Sequence, residues 1–537
     1  MRRLFPLLLA VLLGLLLAWR AALPPAPRPI DAPPLVFSAE RAMADVRAIA
    51  SVPHPVGSAE NRRARDHLVA RLRGLGLAQV AVLPGAELAW RAPPGAAPTR
   101  VENVFAVLPG ADRAAPALLL MAHYDSREGS PGAADDAAGV AAILEVLRTL
   151  RAGGGAPRRD VHVLLTDGEE AGLLGAKSFF RDPARARRYE AVLNLEARGA
   201  AGRAYMFETG PGNAELIRLM ADAVDAPSAN SLARFVYDRM PNDTDFSVPK
   251  ERRVPGLNFA FIGDEAAYHT PLATPERLNR GSLQHLGDQA LALTAALAAA
   301  PAMPRAAGDL VYSDLLGVVL LAYPARVGWL PLALAGALLF AAGRRTVREP
   351  RLLAAMTSGA ARLVAGVLLA AALLFLARQL LSAPDVGLRR PELLAYPGEL
   401  QAGAALLLAL SLLVAWRRAR PAAALGALLL AWALAAAAQL LAPETAFVLA
   451  WPALLGATLL LVPRGTTGTI LAVAGGALGV AWIAGLLHLL FLSLGRLAPE
   501  ALAAGALLLP LVLHPLLVRL TSRQASGQVR SIVADPH

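Results

Sequence analysis

The chain has 537 residues, 56% of them hydrophobic, with no cysteine and a formal net charge of +11. That length asks for at least two folding units, and an apolar excess concentrated before residue 23 and after residue 310 excludes an ordinary soluble protein. Absent cysteine excludes disulfides and thiolate ligands, and basic residues that are nearly all arginines set between apolar runs point to membrane topology and to no nucleic acid.

Residues 4–18, LFPLLLAVLLGLLLA, follow Arg2 and Arg3 and place a signal anchor within residues 1–23. No clean small-x-small site follows, so it reads as uncleaved, with a cleaved signal peptide as the alternative. Residues 24–37, opening PPAPRPIDAPP, are a stiff proline-rich linker. Residues 38–300 have the mixed composition of a globular domain. AENRRARDHLVARLRGLG (59–76) has helical spacing closed by glycine, and ALLLMAH and VHVLLTD are short buried strands around the helix DDAAGVAAILEVLRTLRAGG. Further strands are expected at 191–196 and 256–263, and a helix at 275–299. Strands separated by helices predict an α/β domain with a mostly parallel central sheet flanked by helices.

A connector at 301–325 then leads to an all-α bundle at 326–520 and a cytoplasmic tail at 521–537. Seven spans are expected, at 326–342, 360–381, 399–416, 421–441, 446–462, 469–492 and 500–518, eight with the anchor. His488 is the ionisable side chain singled out deep in a span. With residue 1 inside, the cytoplasmic segments hold Arg2, Arg3, GRRTVREPR (343–351), WRRAR (416–420), PRG (463–465), Arg519, Arg523 and Arg530. The opposite short loops hold only Arg389, Arg390 and Arg496, so residues 24–310 fall on the extracytoplasmic side of a multi-pass membrane protein.

Polar residues stand at the ends of the predicted strands, where parallel sheets place their sites. His123 ends ALLLMAH as a candidate metal ligand, and Asp125 is placed to orient its ring. In GAADDAAGV, Asp136 reads as a helix N-cap as readily as a functional group, with Asp135 beside it. Glu169 and Glu170 leave a strand in different directions, so one suits a metal and the other proton transfer, or both are solvated loop charges. Glu196 in NLEARG and His269 in AYHTP complete a nitrogen and oxygen donor set for two divalent ions. Asp243 and Asp245 read equally as substrate or supporting contacts and as plain loop residues.

AHYDS, GAADDAAGV, TDGEEAGLLGA, NLEARG and YHTP, in this order, resemble the di-zinc aminopeptidase family that includes bacterial leucyl aminopeptidases, aminopeptidase Y and glutamate carboxypeptidase. The likeness covers roughly residues 38–300, from HPVGSAENRRARDHLVARLRGLG onward, and the spans make the chain similar to the endoplasmic reticulum metallopeptidase branch. The resemblance implies two Zn2+ per chain, with manganese or cobalt as alternatives. His123 and Glu196 would hold one ion, Glu170 and His269 the other, and Asp135 would bridge them. Glu169 would be the general base for a metal-bridged hydroxide, and Tyr268 would stabilise the tetrahedral intermediate. Two positions depart from the pattern: Glu196 stands where many members have Asp, and Ala134 where Asn commonly precedes the bridging Asp. The implied function is a membrane-anchored zinc exopeptidase, foremost an aminopeptidase, acting on peptide substrates outside the cytoplasm and held in a lipid bilayer. A non-catalytic binding module, a carboxypeptidase and a glutaminyl cyclase are the alternatives, and the oligomeric state stays open.

Overall fold

The computed structural model describes residues 5–88, 99–347, 349, 351–381, 403, 420–494 and 498–521. Ala21–Val327 makes up the body of one compact unit, and the N-terminal helix with the helices from Gly328 onward makes up a second.

The first unit is built on a seven-stranded sheet of β1 (Ala78–Leu88), β2 (Thr99–Leu108), β3 (Ala117–His123), β4 (Val161–Thr166), β5 (Tyr189–Ala197), β6 (Tyr205–Thr209) and β7 (Gly256–Phe261) in the order β1-β2-β4-β3-β5-β7-β6. The four central strands are parallel, as expected of the α/β class. The outer strands β1, β2 and β6 pair antiparallel, so the sheet as a whole is mixed. Every residue of β3 and of β4 is buried, which is why both read as continuous apolar runs rather than alternations. Their side chains still alternate between layers. Leu118, Leu120 and Ala122 join the core under α2 (Ala39–Ile49), α4 (Ala137–Ala152) and the helix Arg280–Ala299, whereas Leu119 and Met121 pack with Phe179, Phe180 and Phe246 on the other face.

His285, on the helix Arg280–Ala299, is buried and neutral by construction: its Nδ1 accepts from the Ala204 N–H at 3.0 Å and its Nε2 donates to the Ala226 carbonyl at 2.8 Å. Burial, aided by the charge of Arg203, pulls its pKa down to about 3, and burial pulls that of His162 on β4 down to about 4. Below the ordinary histidine value of 6.5 the unfolded chain therefore binds protons that the folded chain refuses. Stability should be fully present above that pH and decline as pH falls toward 4, by on the order of 3 kcal/mol per histidine. Amide exchange of β3–β5 peptides in the full chain should show this decline, and His285→Gln should make it shallower. An equal slope in that variant would exclude His285 as a source.

In the second unit, six helices among the described residues are long and apolar enough to cross a membrane: Phe5–Ala22, Ala325–Thr346, Leu352–Gln379, Pro421–Leu441, Thr466–Leu494 and Pro499–Leu520. The span expected at 446–462 is the 15-residue helix Phe447–Leu461, preceded by a 3-10 turn at Pro443–Thr445. At 1.5 Å per residue its length is roughly 22 Å, short of the ~30 Å hydrocarbon core. The span expected at 399–416, most of WRRAR, Arg2, Arg3, Arg348, Arg389, Arg390, Arg496 and the tail from residue 522 lie outside the described residues. The helix Ala504–Thr521 buries His514, a further histidine inside an apolar helix besides the expected His488. The stretch expected as a connector folds in part into a hairpin, β8 (Leu310–Leu315) with β9 (Val319–Pro324).

Candidate metal centre

The chain leaves β3 for β4 on one side and returns to β5 on the other side of β3, a switch point at the carboxyl ends of the central strands, where parallel sheets place their sites. His123 is the last residue of β3, in register with Thr166 at the end of β4, and Glu169 and Glu170 follow in the next turn. Glu196 lies near the end of β5, and the loop after β7 carries Tyr268 and His269. His269 sits at φ 57, in the left-handed region, and its ring stacks on Tyr268 with centroids 3.7 Å apart.

Two groups of donors result. His123, Asp136 and Glu196 offer ligand atoms within 4.8 Å of one another, and so do Asp135, Glu170 and His269. Asp135 joins the two groups: its Oδ1 is 3.0 Å from Nε2 of His123 and its Oδ2 is 3.0 Å from Nε2 of His269. His269 Nε2 is also 2.9 Å from Glu170 Oε1, while His123 Nε2 is 3.9 Å from Glu196 Oε2. Asp136 does cap α4, with Oδ1 accepting from the Gly139 N–H at 2.9 Å. Its other oxygen has no hydrogen-bond partner, and the residue also belongs to the His123 group, so capping does not account for the whole side chain. Glu169 belongs to neither group.

Asp125 is fully buried, and its role differs in part from the orienting one read from sequence. Nδ1 of His123 lies 3.0 Å from the Asp125 main-chain carbonyl and 3.4 Å from its carboxylate. The carboxylate instead accepts from the main-chain N–H of Glu169 at 3.1 Å and of Glu170 at 3.3 Å, fixing the turn that presents both glutamates.

Five carboxyl groups face two imidazoles, and the electrostatics follow from that imbalance. Burial pushes the Glu169 carboxyl well above the usual range, with Asp245, Asp135 and Glu170 adding to the shift. Burial likewise raises Glu170, Glu196 and Asp136. Burial opposes charge on His269, yet Asp135 and Glu170 hold its pKa up at about 9, and Asp125 and Asp135 likewise raise His123 against its burial. Asp135 is lowered despite burial because both imidazoles bond to it. Burial and the nearby carboxylates raise the Tyr268 phenol, which therefore stays protonated. Oxygens of Asp136 and Glu196 are buried without hydrogen-bond partners. Orphaned oxygens and surplus negative charge are what cations would satisfy, and a donor set of imidazole and carboxylate without sulfur fits zinc.

Several supporting residues carry no sequence signal. Asp167 accepts from Asn61 Nδ2 at 3.0 Å and from the Glu102 N–H at 2.9 Å, while its own N–H donates to Asn103 Oδ1 at 3.0 Å. The front motif HPVGSAEN is thereby tied to the turn before Glu169. Arg127 donates to the Glu170 carbonyl at 3.2 Å. Asp245 is buried, accepts from the Thr166 hydroxyl and is pushed up to about 6 by burial, whereas Asp243 is an exposed loop residue accepting from Ser247 at 3.1 Å.

Residues 103–294 match the profile of Peptidase family M28. Endoplasmic reticulum metallopeptidase 1 of Mus musculus is 35% identical over 235 residues, 42% of this chain and 26% of the mouse protein. The vacuolar membrane protease of Yarrowia lipolytica is 30% identical over 320 residues, 54% of this chain and 32% of its own length. The chain thus matches about a quarter to a third of these relatives. Among solved structures, an aminopeptidase from Aneurinibacillus sp. strain AM-1 aligns over 50% of this chain and 95% of its own at 14% identity and a TM-score of 0.41.

Proposed function

Because the chain carries a peptidase family M28 domain beside apolar helices of membrane-spanning length, we propose that it is a membrane-anchored, zinc-dependent exopeptidase that removes N-terminal residues from peptides outside the cytoplasm. The observation that carries this reading is the Asp135 carboxylate, which turns one oxygen to His123 and the other to His269. His123, Glu196 and Asp135 would hold one zinc, and Asp135, Glu170 and His269 the other. When bound, such ions supply Lewis acidity toward water and a peptide carbonyl. Glu169, outside both donor groups, takes the proton of the attacking water and returns it to the leaving amine. The protonated Tyr268 phenol donates to the oxygen on which negative charge develops. Asp125 keeps Glu169 and Glu170 in place through their main-chain N–H groups.

The aminopeptidase assignment rests on the five sequence motifs, and the extracytoplasmic placement on the arginine asymmetry together with relatives named for the endoplasmic reticulum and the vacuolar membrane. The purified full chain, assayed on aminoacyl, blocked-N-terminus and N-terminal glutaminyl peptides, should release N-terminal residues only from free amines. Chelation should remove that activity and zinc restore it. Turnover that survives chelation, or that acts on blocked peptides alone, would overturn the assignment.

A further inference from the structure

The β8–β9 hairpin makes a two-stranded sheet of its own, and Pro324 at its end is followed at once by the span beginning at Ala325. β8 holds it to the first unit: Leu310, Val311 and Tyr312 are buried, and Tyr205 donates to Asp314 Oδ1 at 2.8 Å. Among the described residues β9 pairs with β8 and with no other strand. Its Leu320 turns into the core, while Val319 and Leu321 are 44% and 39% exposed.

The tip is the anomaly. Hairpin turns in water are made of polar residues and glycine, yet this one runs Leu315-Leu316-Gly317-Val318-Val319, with Val318 72% exposed. The turn is nevertheless well defined: the Gly317 N–H donates to Asp314 Oδ2 at 2.8 Å and the Val318 N–H to the Leu315 carbonyl at 3.1 Å. Leu316 and Gly317 have φ of 55 and 67, and holding a leucine in the left-handed region shows the turn is imposed rather than slack. No charged residue intervenes between Asp314 and Arg326. In water such a turn would be guarded by charge, and here the aliphatic side chains of the tip are left exposed.

Connectivity says what covers them. Six strand residues reach about 20 Å at ~3.3 Å each, so the tip cannot stand farther than that from where the chain enters the bilayer. Exposed Trp329 at the start of the span is of the type that settles at the headgroup level. We propose that Val318, Val319 and Leu321 insert into the interfacial layer of the same bilayer the chain spans, so that the hairpin is a second, non-spanning membrane contact of the peptidase-bearing unit. Three aliphatic side chains fall far short of the ~20–30 residues a side of a stable dimer, which disfavours a second copy as the occupant.

The chain has no cysteine, so Val318→Cys takes a single fluorophore without further engineering. In full-length protein reconstituted into phosphatidylcholine vesicles, a lipid-borne nitroxide should quench the label at 318 several-fold more than aqueous iodide does. A label at Arg73→Cys, on the exposed end of α3 (Ala59–Gly74), should show the reverse preference. Iodide quenching at 318 equal to that at 73, with no effect of the lipid-borne nitroxide, would overturn the proposal. Spin labels at 318 that couple between copies without lipid contact would overturn it too, in favour of a dimer.

Discussion

Glu169→Gln should lower kcat by about 10²–10⁴-fold while leaving the zinc content of the purified chain unchanged. The amide matches the carboxylate in size and keeps the main-chain bond to Asp125, so the turn holding Glu170 is undisturbed. It cannot accept a proton. Glu169 stands in neither donor group, so its substitution separates proton transfer from metal binding, which no change at His123, Glu170, Glu196 or His269 can do. The expected loss corresponds to about 3–5 kcal/mol of transition-state stabilisation. Steady-state kinetics beside atomic emission of the same sample decides it: a metal-replete variant retaining a tenth of the wild-type kcat would remove Glu169 from the reaction.

Asp135→Asn should instead cost the metals. The two oxygens of Asp135 face His123 and His269 separately, and an amide offers one oxygen and one NH2, which no cation can use. The zinc content, proposed as two ions per chain, should fall to below one, with activity down by about 10³-fold or more. Asp136→Asn is the internal control. Asparagine caps a helix as well as aspartate does, so the bond to Gly139 survives and α4 stays intact. If the neighbour rather than Asp135 joins the ions, the two variants will exchange phenotypes, and metal analysis will show it without reference to turnover.

The candidate residues were legible because strands end abruptly: His123 and Glu196 each interrupt or close a run of apolar residues that a buried strand requires, and Glu169 and Glu170 follow such a run within one turn. Asp125 was legible as a partner of His123 but not as the acceptor for the Glu169 and Glu170 N–H groups, because those bonds span more than forty positions. The Asn61–Asp167–Asn103 network was invisible for the same reason, since each of its members alone reads as an ordinary loop or strand residue.

By itself the sequence determined the α/β alternation, the apolar segments of membrane-spanning length and the chemistry of the donor set, because these depend on local period, run length and residue type. Only the tertiary structure decided that β1, β2 and β6 pair antiparallel toward the sheet's edges, that Asp135 turns one oxygen to each histidine, that Asp136 keeps an oxygen beyond its cap, and that an aliphatic hairpin tip stays exposed. Those outcomes depend on which distant segments meet, and burial, orphaned oxygens and exposed edges have no meaning until they do.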